Sequence, residues 1–275
     1  MSESCDSCSA VGTCSSESHA TDKLLSEAQK LSKVGKLIAI MSGKGGVGKS
    51  AVTGMLAVSL RRQGYKVGIL DADITGPSIP KIFGVTEKAT VNSSGVIVPQ
   101  SSEGIKIMSL NLMLDNEDDP VIWRGTIITQ IVNQFWTDVV WGELDFLLVD
   151  MPPGTGDVPI TVFQSLPLDG IVIVTSPQQL ANMVVGKAIN MAKKYDANFY
   201  GLIENMAYLE CSDCQKNIEV FGKSKGQAMA QQSEIPYLGE LPLDPKLALL
   251  CDAGRIEDYQ SAAFDKITAR LTEKI

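Results

Sequence analysis

Residues 36–50 run KLIAIMSGKGGVGKS, and no other stretch of the chain leaves the backbone so few options. Leu37 to Met41 are apolar and partly β-branched, the composition of a strand covered on both faces. Gly43-Lys44-Gly45-Gly46-Val47-Gly48-Lys49-Ser50 then fits G-x-x-x-x-G-K-[ST] at every fixed position. Ala51 to Leu60 alternates apolar and small residues and predicts a helix. Strand, glycine loop and helix in that order make a phosphate cradle. Glycines let successive N–H groups turn into one cavity, and the helix N-terminus adds partial positive charge. Lys49 is placed to reach the β- and γ-phosphates, and the Ser50 hydroxyl to ligate Mg²⁺. The stretch predicts a nucleoside triphosphate site.

The rest of the composition sets bounds on that site's setting. With 275 residues, 44% hydrophobic and 20% charged, the chain has the make-up of one α/β domain with a tail. A formal charge of -8 argues against nucleic acid or an anionic membrane as the main partner. No apolar run approaches the roughly 18 residues of a membrane span. MSESCDSCSA at the start has neither a basic region nor an apolar stretch, so the expectation is a cytoplasmic protein without a secretory signal. In that compartment six cysteines point to metal ligation before disulfides. The one histidine, His19, stands in a polar tail, which excludes Ser–His and Cys–His hydrolase chemistry.

Three segments follow from the patterning. Residues 1–22 hold too little apolar side chain to fold alone and carry Cys5, Cys8 and Cys14, so they read as a flexible cysteine tail. Residues 23–35 put Leu24, Leu25, Ala28 and Leu31 on one helical face and predict a lead-in helix. Residues 36–275 alternate strands and helices throughout, which predicts a mostly parallel sheet with helices on both faces, the P-loop NTPase arrangement. A cysteine loop at 211–214 interrupts the alternation.

Asp150 ends the apolar strand Phe146 to Val149, where a carboxylate can hold Mg²⁺ through water, and Gly154 offers its N–H to the γ-phosphate. Strand ends converge on the ligand crevice of an open α/β sheet, so these loops meet the glycine loop in space. Asp71 and Asp73 follow the second strand. Asn205, at the end of a later strand, could hydrogen-bond a purine edge; no Asn-Lys-x-Asp guanine box is present, and ATP is favoured. Cys211-x2-Cys214 supplies two thiolates where a four-cysteine zinc or iron–sulfur site takes four, and a two-fold dimer would double the pair.

The second lysine of the loop, Lys44, resembles that of the deviant phosphate-loop ATPases, which carry K-G-G-x-G-K-[ST]. That resemblance implies that Lys44 reaches a partner subunit's nucleotide and that Asp73 orients the attacking water, while Asp71 supports Mg²⁺ ligation or the geometry of the loop. With GKGGVGKS, DADITGPS, VIWRG, LLVDMPPGTGD, the ENM before CSDC, and GELPLDP in view, residues 36 to about 260 resemble the Mrp/ApbC-type ATPases. The family implies a homodimer, slow ATP hydrolysis and a labile [4Fe–4S] cluster carried to apo recipient proteins and bridged by Cys211 and Cys214. The tail resembles a ferredoxin-like extension, with Cys5, Cys8 and Cys14 matching the last three of its four cysteines; Cys251, an exogenous ligand or a [3Fe–4S] form would make up for the first. Two other readings stand beside it: a MinD/ParA-like positioning ATPase, and a P-loop ATPase stapled by zinc.

Overall fold

The computed structural model describes residues 26–74, 76–114, 125–154 and 156–275. A single turn of helix, α1 (Glu27–Lys30), is closed by a Ser26 capping box and leads at once into β1 (Lys33–Ser42). The lead-in helix is therefore shorter than the pattern over 23–35 suggests. Gly35 lies so close to the neighbouring chain that an added Cβ would sit 2.7 Å from the Asp145 carbonyl oxygen. That approach is sheet geometry, and it converts residues 33–35 to strand.

Beyond β1 the chain alternates as the patterning requires. It forms α2 (Lys49–Arg62), β2 (Val67–Asp71), the short α3 (Ile79–Phe83), a hairpin of β3 (Thr90–Asn92) and β4 (Gly95–Ile97), and β5 (Lys106–Met108). Next come α4 (Gly125–Thr137), β6 (Glu143–Asp150), α5 (Asp157–Ser165), β7 (Gly170–Thr175) and α6 (Gln179–Lys194). The last third holds β8 (Phe199–Glu210), β9 (Asn217–Ile218), α7 (Gly226–Gln232), β10 (Tyr237–Pro242), α8 (Pro245–Asp252) and α9 (Ala262–Thr272).

The main sheet has the order β10-β8-β7-β1-β6-β2-β5, with every neighbouring pair parallel; β9 adds to β8 in the antiparallel sense. Side chains alternate between two cores. Ile38, Ile40, Ile69, Leu148, Val172 and Val174 face α2, α3, α8 and α9. Leu37, Ala39, Met41, Leu147, Ile171 and Ile173 face α4, α5 and α6. Burial on both faces is what makes these strands near-continuous apolar runs. α2 is covered nearly all round, with Val52 to Leu60 buried between the sheet and α9. Phe264, Ile267 and Leu271 of α9 are core residues, so its apolar face is spent on packing rather than left for a membrane. No helix among the described residues is long and apolar enough to cross a membrane.

Candidate functional site

Parallel strands place their carboxyl ends on one edge. Ile40 registers with Asp150 across β1 and β6, and Asp150 registers with Asp71 across β6 and β2. The loop from Gly43 to Gly48 crosses this edge, with Gly46 and Gly48 both at φ 77°. Only glycine holds that conformation without strain, which is why the motif needs it there. Gly48 is also the N-cap of α2 and gives it no side-chain cap. The first amides of the helix are thus left for an anion. A cavity of about 280 Å³ opens over the loop, bounded by Lys44, Lys49, Ser50, Asp73 and Pro153.

Lys49 is 6% exposed, and its Nζ lies 2.7 Å from Oδ1 of the fully buried Asp150. The approach lacks hydrogen-bond geometry, so the buried ammonium has charge compensation without a satisfied N–H. A buried, incompletely paired cation beside an anion cradle is what a phosphate would satisfy. Asp150 is held by three groups: Lys49, the Ser50 hydroxyl donating to Oδ2 at 2.6 Å, and the Thr53 hydroxyl donating to Oδ1 at 2.7 Å. The Ser50 hydroxyl and the Asp150 carboxylate are thus held together at the start of α2. Thr53 escapes motif reasoning. It sits one helical turn after Lys49 and bonds the Lys49 carbonyl, so the sequence signal is only its i+4 spacing.

Asp71 is buried, accepting from the backbone N–H groups of Asp73, Ser78 and Ile79 and from the Ser109 hydroxyl, each at 3.2 Å. Burial first, and then the adjacent Asp150 carboxylate, push its carboxyl up to about 8. Its contacts tie together the two ends of the loop after β2, Asp73 on one side and Ser78 and Ile79 on the other. That loop places Asp73 at the cavity wall.

Three expected contacts are engaged elsewhere in this state. Lys44 Nζ donates to Gln178 Oε1 of the same chain. The Gly154 N–H donates to the Ser42 carbonyl at 3.0 Å, with Gly154 at φ 92°. Asn205 lies inside β8 rather than at its end, and its Nδ2 donates to the Val47 carbonyl at 2.9 Å. The amide expected at a purine edge is packed under the glycine loop.

The cysteine pair sits at the tip of the β8–β9 hairpin, whose ladder pairs Leu209 with Ile218 and Glu210 with Asn217. Cys211 N–H bonds the Lys216 carbonyl at 3.0 Å and Gln215 N–H bonds the Cys211 carbonyl at 2.9 Å, with Gln215 at φ 56°. The turn aims the Cys214 and Asp213 amides at the Cys211 sulfur, which lowers its thiol pKa. Amides that favour the thiolate favour a metal ligand. Among the described residues no group of three or more metal-ligating side chains converges, so one chain presents two thiols. Cys251 has a different environment. It is buried on α8 against the nucleotide cavity, and burial, then the Asp252 charge, push its thiol up to about 11. Cys5, Cys8 and Cys14 lie outside the described residues.

A glycine loop ending in Lys-Ser, a helix opened by that loop and an acidic strand end across a parallel sheet define a P-loop NTPase. Residues 33–275 match the model of the NUBPL iron-transfer P-loop NTPases of the ParA group, and the chain belongs to that family. A relative in Clostridium perfringens called an iron-sulfur cluster carrier protein is 45% identical over 268 residues, covering 93% of this chain and 94% of its own. The cytosolic Fe-S cluster assembly factor CFD1 of Yarrowia lipolytica is 42% identical, with 89% and 87% covered. A solved nucleotide-binding protein of Archaeoglobus fulgidus, in complex with ADP, superposes with a TM-score of 0.77 at 44% identity, covering 87% of this chain and 94% of that one.

Proposed function

We propose that the protein is an ATP-dependent carrier of iron–sulfur clusters, which takes a labile [4Fe–4S] cluster as cargo and passes it to apo recipient proteins. The observation that carries this reading is the pairing of a prepared nucleotide site with an exposed two-thiol hairpin on the same edge of the sheet. The names of relatives similar along nearly the whole chain support it, and the name of the assembly factor supports a cytoplasmic location.

In this reading Lys49 supplies the phosphate countercharge, and Ser50 and Asp150 would hold Mg²⁺, which would supply further positive charge beside the phosphates. Asp73 orients the attacking water. Lys44 leaves Gln178 to reach the nucleotide of a second copy, and Gly154 exchanges the Ser42 carbonyl for a phosphate oxygen. Each of those contacts must break before the site is complete, and slow hydrolysis is the consequence. The cluster bridges Cys211 and Cys214 of two copies, because a four-iron cluster takes four thiolates. Cys5, Cys8 and Cys14 add a second metal-binding segment. Deleting residues 1–22 lowers iron per chain while ATPase activity persists; unchanged iron would show that the tail binds none.

The test is anaerobic reconstitution with iron and sulfide, followed by incubation with an apo iron–sulfur acceptor, with and without ATP. Acquisition of a visible chromophore, its loss from the carrier and gain of acceptor activity are the expected outcome. Zinc bound without sulfide would overturn it in favour of the zinc-stapled ATPase.

A further inference from the structure

At Glu204, β8 is paired on both sides, with Thr175 of β7 and with Glu240 of β10. The next ladder pair on the β10 side is Tyr208 with Pro242. β8 thus uses four steps where β10 uses two, and the surplus lies at Asn205 to Ala207. Within it Met206 takes φ 57°, a left-handed conformation that a residue with a Cβ tolerates poorly inside a strand. Extra residues of this kind re-aim a strand, and they concentrate beside functional sites.

What lies on this kink is the glycine loop. Asn205 is buried and bonds the Val47 carbonyl, and a Cβ added at Gly48 would come within 2.4 Å of Asn205 Nδ2 and 3.3 Å of Met206 Cε. On the other side of the kink, three residues of strand, Tyr208 to Glu210, lead to Cys211. Beyond Glu204 that arm has lost its β7 neighbour and is tied by the Tyr208 and β9 pairings. The loop that must close around phosphate and the hairpin that bears the thiols therefore share one irregular, strained segment.

We propose that Asn205 and Met206 are positioning residues that transmit the state of the phosphate loop to the Cys211–Cys214 hairpin. Val47 and Gly48 cannot shift around a nucleotide without moving the Asn205 amide and the Met206 thioether against them. A displaced Met206 re-aims the arm, and Cys211 with it. The inference rests on the reading of the loop as an ATP site and of the hairpin as the cargo site, and it concerns the coupling between them.

The experiment uses the full chain, metal-free, with N-ethylmaleimide as probe and peptide mass spectrometry to read labelling at Cys211 and Cys214 separately. The same peptides labelled to completion in denaturant give the reference for full modification. ATP binding is measured on the same samples by equilibrium dialysis. In the wild type, saturating ATP should change the labelling rate at Cys211 by about fivefold or more, the lower end of ordinary allosteric coupling. Met206→Gly accommodates the left-handed backbone and removes the thioether, so the ATP response should shrink towards unity. Met206→Leu, which keeps bulk against Gly48, should retain it. A purely structural Met206 would alter stability in the glycine variant but leave the ATP response at its wild-type size, and that result overturns the inference. Wild type that binds ATP with no change at Cys211 overturns it as well, and does so even if the glycine variant does not fold. Wild type that binds no ATP would instead refute the nucleotide reading, on which the inference depends.

Discussion

Lys49 and Asp150 show how a few side chains fix the site's behaviour. Removing the buried ammonium leaves Asp150 without its cation and the cavity without its main phosphate countercharge, so Lys49→Ala should lose ATP binding by equilibrium dialysis. Asp73→Asn keeps the cradle and should bind ATP while phosphate release stops; release at the wild-type rate would remove the water-positioning role. The cysteines separate by environment in the same way. Amide donors lower the Cys211 thiol, while burial raises Cys251 to about 11. In metal-free protein, maleimide labelling through the neutral and alkaline range should therefore begin at lower pH for Cys211 and leave Cys251 nearly silent. Because the folded chain holds the Cys251 proton, its contribution to stability falls as pH rises from the ordinary thiol value of 9.0 towards about 11. Equal onset of labelling at the two residues would contradict both environments.

Elements hold these residues by close backbone approach. Gly84, the cap of α3, and Gly254, just past α8, cross so tightly that a Cβ on Gly254 would lie 2.7 Å from the Gly84 Cα. Both are left-handed, at φ 65° and 67°. Gly254→Ala should cost about 1–3 kcal/mol from backbone strain, more if the crossing parts, read as a lower denaturation midpoint. ATP affinity should fall with it, since α3 contributes Ile82 and α8 Cys251 to the cavity wall. An unchanged midpoint would show that the two turns separate freely. This crossing was not legible in the sequence, where each glycine reads as an ordinary helix stop. The main strands were legible, because burial on both faces leaves long apolar runs such as Phe146 to Val149. α3 was not, at five residues with a proline at its start, and neither was α5, which takes Pro159 in its first turn. β8 looked finished at Asn205 because ENMAYLE lacks a strand pattern; its continuation to Glu210 depends on the tertiary contact with Val47 and on pairing with β9. The glycine loop, the strand-end carboxylates and the CxxC pair were legible because their chemistry demands fixed residues at fixed spacing. Thr53 and Gln178 were not, since either position accepts many residues until the fold brings it to Asp150 or Lys44.

At the scale of the whole molecule the described residues bring only two thiols together at the hairpin, and for a four-thiolate cargo that pair has a thermodynamic consequence. Each hairpin offers Cys211 and Cys214, and no further ligating group joins them among the described residues. The same hairpin exposes Ile218 and Val220 at 48% and 47%, apolar surface that a second copy can cover. A cluster on a two-fold axis is bonded to both copies, so cluster binding and association strengthen one another by mass action. Cys211→Ala removes one thiolate from each copy and should lower iron content and dimer fraction together. ATP binding should survive, since the hairpin tip contributes nothing to the nucleotide cavity wall. Sedimentation of reconstituted wild type and Cys211→Ala, with iron and sulfide assayed on the same fractions, reads both quantities at once. Wild type that retains iron and sulfide at the hairpin while sedimenting as a monomer would break the linkage, because four thiolates would then have to come from one chain.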